Sequence, residues 1–187
     1  MSKVYILVAD GFEEIEGLTV VDLLRRAKVD IKMVSIKDTK DILGSHNIEL
    51  KTDLVINDII GEDGADLADM LVLPGGNIGT NNLKKSNEVD QLIRKYNEAG
   101  KYLAAVCAAP TVYGEKGLLN GKNATCYPGL ENGLVGACPK TDSVVVDGQF
   151  ITSRGLGTSI DFALKIIEVL ISKDKAVEIG KQVVYLD

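Results

Sequence analysis

The sequence predicts a doubly wound α/β sandwich, in which helices cover both faces of a mostly parallel sheet. Two observations carry the prediction. Short β-branched apolar runs alternate with segments of helical period, the pattern of strands buried on both faces. No repeat, low-complexity tract or Pro/Ser-rich linker interrupts the alternation, and 187 residues suit one domain, taken as 1–187, with a substantial core.

The first strand is expected at 4–9. Ile15, Leu18, Val21, Leu24 and Ala27 then recur at three-residue steps and predict an amphipathic helix. A second strand is expected at 31–36. The stretch 37–66 is polar, with apolar runs at 48–50 and 54–56, and reads as hairpin-like. Met70–Leu73 is a brief buried strand that ends in Pro74-Gly75-Gly76. A helix over 87–99 is closed by Gly100, a favoured residue just past a helix end. Tyr102–Val106 is the next strand and stops at Cys107, with a helix to follow as far as about Gly117. A strand at 123–126 precedes a loop through Pro128 and Gly133. The runs 144–146 and 150–152, joined by Asp147-Gly148, predict a hairpin with a type I′ turn. A long helix over 160–171 closes the fold.

The formal net charge of −6 sets an acidic surface against phosphate backbones and anionic lipid, and no Lys/Arg run offsets it, so neither nucleic acid nor membrane is an expected partner. The 4–9 run lacks the length of a signal-peptide core, and no window nears the roughly 18 apolar residues of a membrane span. Three widely spaced cysteines do not make a disulfide framework, so a reducing cytoplasm is the expected setting. Cys107, Cys126, Cys138 and His46 lack ligand-like spacing; neither a metal nor another cofactor is expected.

Chemistry-bearing residues gather at predicted strand ends, where open α/β sheets bind ligands. Residues 10–16 follow the first strand, Gly75-Gly76 follows the third, and Cys107 follows the fourth. A nucleophile on a sharp strand-to-helix elbow needs small flanking residues, and Ala105 and Ala109 supply them. Pro110 suits a first helical turn. Amides at such a turn lower a thiol's pKa and can hold an oxyanion, so an alkylation pKa below the usual value of about 8.5 is expected for Cys107. The alternative is a small buried apolar residue. Gly75-Gly76 is either a tight turn or backbone exposed to a ligand. Helix-start stabilisation accounts for Glu13 and Glu14. Glu16, between Ile15 and Gly17, reads either the same way or as an inward, desolvated carboxyl beside the thiol. His46, the single histidine, lies in a polar turn-like stretch and reads as a surface residue, which argues against a Cys–His protease.

Five segments, 11–16, 20–27, 71–76, 105–110 and 152–159, resemble in order the motifs of the ThiJ/PfpI superfamily, in the branch that contains the parkinsonism-associated protein deglycase. The resemblance covers almost the whole chain. It implies a flavodoxin-like fold, a homodimer with Arg26 near its interface, and Cys107 as an oxidation-sensitive nucleophile. It further implies a protonated Glu16 bonded to the thiolate, backbone amides from Gly75, Gly76 and Ala108, and Arg154 in the loop that closes the pocket. The implied activities are a glutathione-independent glyoxalase turning methylglyoxal into lactate and a deglycase acting on early glycated adducts. Oxidative-stress sensing through Cys107 sulfinate and holdase chaperone activity are also attributed to the group.

The chain departs from the pattern in places. Tyr127 stands before Pro128 where some relatives carry His, and a phenol shuttles protons less readily near pH 7. Ala108 stands where the protease branch carries His, and Leu156 replaces a common proline. The reading reached is a cysteine-dependent enzyme acting on small reactive aldehydes or their adducts, with a redox sensor or a holdase without turnover as alternatives.

Overall fold

A computed structural model describes residues 2–62 and 67–187; the end of the 37–66 stretch, at 63–66, lies outside the described residues. The elements run β1 (Lys3–Val8), α1 (Glu14–Arg26), β2 (Asp30–Ser35), β3 (Asp41–Leu43), β4 (Glu49–Lys51), β5 (Leu54–Val55), β6 (Met70–Leu73), α2 (Asn77–Lys85) and α3 (Asn87–Glu98). They continue with β7 (Tyr102–Val106), α4 (Pro110–Glu115), β8 (Asn123–Ala124), β9 (Cys138–Pro139), β10 (Val144–Asp147), β11 (Phe150–Ser153), α5 (Ser159–Leu170) and α6 (Lys173–Gln182). Seven strands form one sheet in the order β10-β11-β7-β6-β1-β2-β5, parallel except at the β10–β11 edge. The predicted fold class holds.

Strand alternation divides the core. Val4, Ile6 and Val8 point to the layer of α1, α5 and α6, while Tyr5 and Leu7 point to the layer of α2, α3 and α4. All five side chains are at most 2% exposed, which is why β1 reads as an unbroken apolar run.

Several expectations need correction. Ile15 is 49% exposed and Leu18 only partly buried, whereas Glu16, Gly17, Val20, Val21, Leu23 and Leu24 form the inner stripe of α1. Each three-residue step leaves a helical face by about 60°, so five residues so spaced cannot share one face. The hairpin at 37–66 is real, as β3 pairs antiparallel with β4, but the 54–56 run joins the main sheet as β5. The strand expected at 123–126 is shorter, β8 covering Asn123–Ala124, and pairs with β9 in a separate two-stranded sheet. In the β10–β11 hairpin Asp147 pairs with Phe150, so the turn residues are Gly148 and Gln149. Only Gly148 has positive φ, the pattern of a type II′ turn rather than I′. α5 does not close the fold, because Ser172 caps α6 by accepting from the Lys175 amide.

Candidate active site

β1, β6 and β7 lie side by side in the sheet, and their carboxyl ends bring Glu16, Gly75-Gly76 and Cys107 together. Cys107 has φ +64, a left-handed backbone that a non-glycine residue adopts at a cost of order 1–3 kcal/mol. The elbow is held from two sides: the Cys107 amide donates to the Ser153 carbonyl at 3.0 Å, and the Tyr127 amide donates to the Cys107 carbonyl at 2.7 Å. Ala105 and Ala109 are fully buried against it, and Pro110 is the first residue of α4.

Glu16 sits on the inner face of α1, 1% exposed. Its Oε2 accepts the Gly75 amide at 3.0 Å, and its carboxyl also hydrogen-bonds the Cys107 thiol and the Leu156 amide. The Glu13 carboxylate caps α1 through the Glu16 amide at 2.7 Å. Gly75 has to be glycine here. A Cβ on it would press into Glu16 Oε2 and stand 2.5 Å from Cys107 Cβ. The amides of Gly76 and Ala108 face the sulfur, so of the three amides predicted around the site, that of Gly75 serves the carboxyl instead.

Both partners of this pair hold their protons more tightly than in water. Burial raises Glu16 to about 7, the thiol bond opposes that, and the Glu13 charge adds to it. Burial also pushes the Cys107 thiol up to about 12, the Glu16 charge and hydrogen bond add to it, and the Gly76 and Ala108 amides oppose. The elbow amides pull the thiol down as expected, while burial and the acid beside it pull it up. Between about 7 and about 12 the pair carries one proton for two basic atoms.

A cavity of about 300 Å³ opens on Cys107, walled by Asn77, Ala108, Tyr127 and Leu130. The Tyr127 ring is half exposed and lies over Gly155, whose Cα side also faces Glu16 Oε1. Arg154 is half-buried in the loop after β11; the Glu131 carboxyl is lowered by its own amide and that of Gly129, with a smaller share from the Arg154 charge. Arg26 lies outside the site, in the last turn of α1, paired with Asp22 at 2.8 Å. Cys126 is buried and donates to the Tyr127 carbonyl at 3.5 Å, and Cys138 is exposed.

Sequence reasoning missed three things. Asn77 and Leu130 reach the cavity from segments without an apolar period. Glu14 is buried, not a solvated helix-start acid. It accepts the His46 amide at 2.7 Å, His46 Nδ1 at 2.8 Å and the Ser45 hydroxyl at 3.0 Å. Although burial opposes it, these bonds draw the Glu14 carboxyl down to about 2. His46, with 68% of its side chain exposed, thus tethers the β3–β4 loop to α1. Glu13, Glu14 and His46 bring their ligand-type atoms within 4.8 Å of one another, a grouping the spacing of cysteines and histidine did not foretell.

Residues 2–169 match the model of the DJ-1/PfpI family. The chain is 37% identical over 184 residues to protein dj-1beta of Drosophila melanogaster, covering 97% of this chain and 96% of that one. It is 33% identical over 181 residues to the glutathione-independent glyoxalase DJ-1 of Schizosaccharomyces pombe, with 94% of each covered. A 36% match to DJ-1 homolog B of Arabidopsis thaliana covers 95% of this chain but 40% of that longer protein. The solved structure of oxidised Toxoplasma gondii DJ-1 superposes with a TM-score of 0.93 at 33% identity, covering 99% of both chains. Among the described residues no helix is long and apolar enough to cross a membrane.

Proposed function

The chain belongs to the DJ-1/PfpI family, and on that premise we propose that it is a cysteine-dependent, glutathione-independent glyoxalase acting on methylglyoxal-type aldehydes. The observation that carries the reading is the contact between Glu16 and Cys107, one proton between a buried carboxyl and a thiol on a strained elbow. Sulfur attacks the aldehyde carbon of methylglyoxal, and the aldehyde oxygen takes the proton that the pair held. Glu16, now a carboxylate, removes the hydrogen from that carbon and returns it to the neighbouring one, while the hydroxyl proton passes to the former ketone oxygen. The aldehyde carbon is oxidised to a thioester and the ketone carbon reduced to an alcohol. Water then releases lactate and restores the thiol. The amides of Gly76 and Ala108 supply donors for the sulfur and the developing oxyanion. Tyr127 orients the substrate carbonyl from the cavity wall, and Arg154 closes the rim.

Lactate formation from methylglyoxal tests this with wild type, Cys107→Ser and Glu16→Gln. Turnover is expected in wild type alone; equal rates in all three remove the mechanism. We extend the proposal to hydrolysis of early glycated adducts at the same thiol.

A second reading is favoured by the oxidised Toxoplasma relative. Peroxide would convert the Cys107 thiolate to sulfenate and a second peroxide to sulfinate, each losing one oxygen and leaving as water. Intact mass after mild peroxide should show two oxygens on Cys107. Equal oxidation of Cys126 and Cys138 refutes a dedicated sensor. A homodimer through the face that carries Arg26 belongs to the same proposal. That face holds a cleft edged by Leu18, Ile160 and the 91%-exposed Val184. Sedimentation of wild type and Leu18→Glu tests it, the variant being expected as monomer.

A further inference from the structure

A second cleft adjoins the cavity on Cys107. The two share Asn77, Ala108 and Leu130, and the second holds about 230 Å³ between α2, α4 and the turn at Glu131–Gly133. That is roughly the share of eight liquid waters, enough for a short multi-carbon tail.

The chemistry of its walls is uncharged and polar. Thr80 and Thr111 bring hydroxyls, and Asn77, Asn81 and Asn132 bring carboxamides. Thr80 is 2% exposed, and its Oγ1 is buried without a hydrogen-bond partner among the described residues. An orphaned buried hydroxyl costs about 1–3 kcal/mol, so of the groups along this wall it has the most to gain from a partner. The Thr111 hydroxyl donates to the Ala108 carbonyl at 2.7 Å and keeps its acceptor capacity. Lys84 and Glu115 neutralise one another at the rim at 2.5 Å, so the cleft offers no net charge to an ionic group. The far wall is fixed in place. A Cβ on Gly133 would lie 2.6 Å from Thr111 Cγ2, and one on Gly114 would strike the Gly133 carbonyl.

Hydroxyls and carboxamides that both donate and accept suit a ligand whose groups do the same. We propose that this cleft is a specificity subsite for the hydroxylated tail of sugar-derived α-oxoaldehydes, placed so that the aldehyde reaches Cys107 while the tail lies between α2 and the Asn132 turn. The inference rests on the thiol reading above for the reacting end and on this cleft alone for the tail.

Two measurements separate the two claims. The first is the ratio of kcat/KM for deoxyglucosone over methylglyoxal in wild type and in Thr80→Val/Asn132→Ala. The second is calorimetric binding of deoxygluconate and lactate to Cys107→Ser, which needs no turnover. Wild type should favour deoxyglucosone, and the double variant should lower the ratio about tenfold, the scale of one or two lost neutral hydrogen bonds. Deoxygluconate should bind Cys107→Ser more tightly than lactate does. Turnover of both aldehydes with an unchanged ratio and equal binding of the two acids overturns the subsite and leaves the thiol chemistry standing. No turnover with preferential deoxygluconate binding overturns the chemistry and leaves the subsite.

Discussion

Replacing Glu16 by Gln should remove a pH dependence that wild type carries as a burden. The unfolded carboxyl loses its proton near 4.5, whereas the folded one holds it to about 7. Between those values the folded chain binds more protons, so stability falls as pH rises. Below 4.5 the effect is absent, and above about 7 it is complete. The two values differ by roughly 2.5, and at about 1.4 kcal/mol per unit the loss is about 3 kcal/mol. Glutamine keeps the shape and the acceptor for the Gly75 amide without ever ionising. Urea unfolding of both proteins from pH 4.5 to 8, at one protein concentration, gives the difference directly. Wild type should lose about 3 kcal/mol relative to the variant over that span. Repeating the pair in a Cys107→Ser background isolates the carboxyl from the thiol. Parallel stability curves would refute the claim that the acid is desolvated at this site.

Other outcomes follow from the same geometry. Gly75→Ala should destabilise the fold by about 1–3 kcal/mol, as over-packing does, and abolish Cys107 alkylation in native protein. Because residue 107 has φ +64, Cys107→Gly should be at least as stable as Cys107→Ala in thermal unfolding, opposite to the usual preference for alanine. Glu13→Gln removes a charge that helps raise Glu16, so the pH-dependent loss should be smaller and complete at lower pH while the acceptor for the Glu16 amide is kept. Glu14, held down to about 2, contributes stability above pH 4.5 that is lost as pH falls through about 2. His46→Ala removes the Nδ1 bond to Glu14 and keeps the amide bond, so acid unfolding should begin at higher pH, read by circular dichroism.

What the sequence made legible were features written in contiguous residues. Met70–Leu73 and Tyr102–Val106 are recovered to the residue because both faces of these strands are covered and no polar residue blurs their ends. Cys107 and Pro110 announce an elbow through small neighbours that are adjacent in the chain. α2 escaped because only Gly79, Thr80 and Leu83 of its nine residues are buried, too few apolar side chains to set a period. The bonds from Glu14 to His46 span 32 residues and depend on how the β3–β4 loop folds back on α1. The upward pull on the thiol depends on how tightly Glu16, Gly75 and the loop at Leu156 enclose it, a three-dimensional quantity with no local signature.

Ser153 gives the elbow a fixed backing. Its carbonyl receives the Cys107 amide, and its hydroxyl donates to the Ser143 carbonyl at 2.7 Å and meets the Thr158 hydroxyl at the same distance. The sulfur is therefore anchored from behind, through strands, whereas Tyr127, Leu130 and Leu156 face it from loops that are open to solvent. Such a division lets the front of the pocket be remodelled for a new cargo while the hinge that presents the nucleophile keeps its shape.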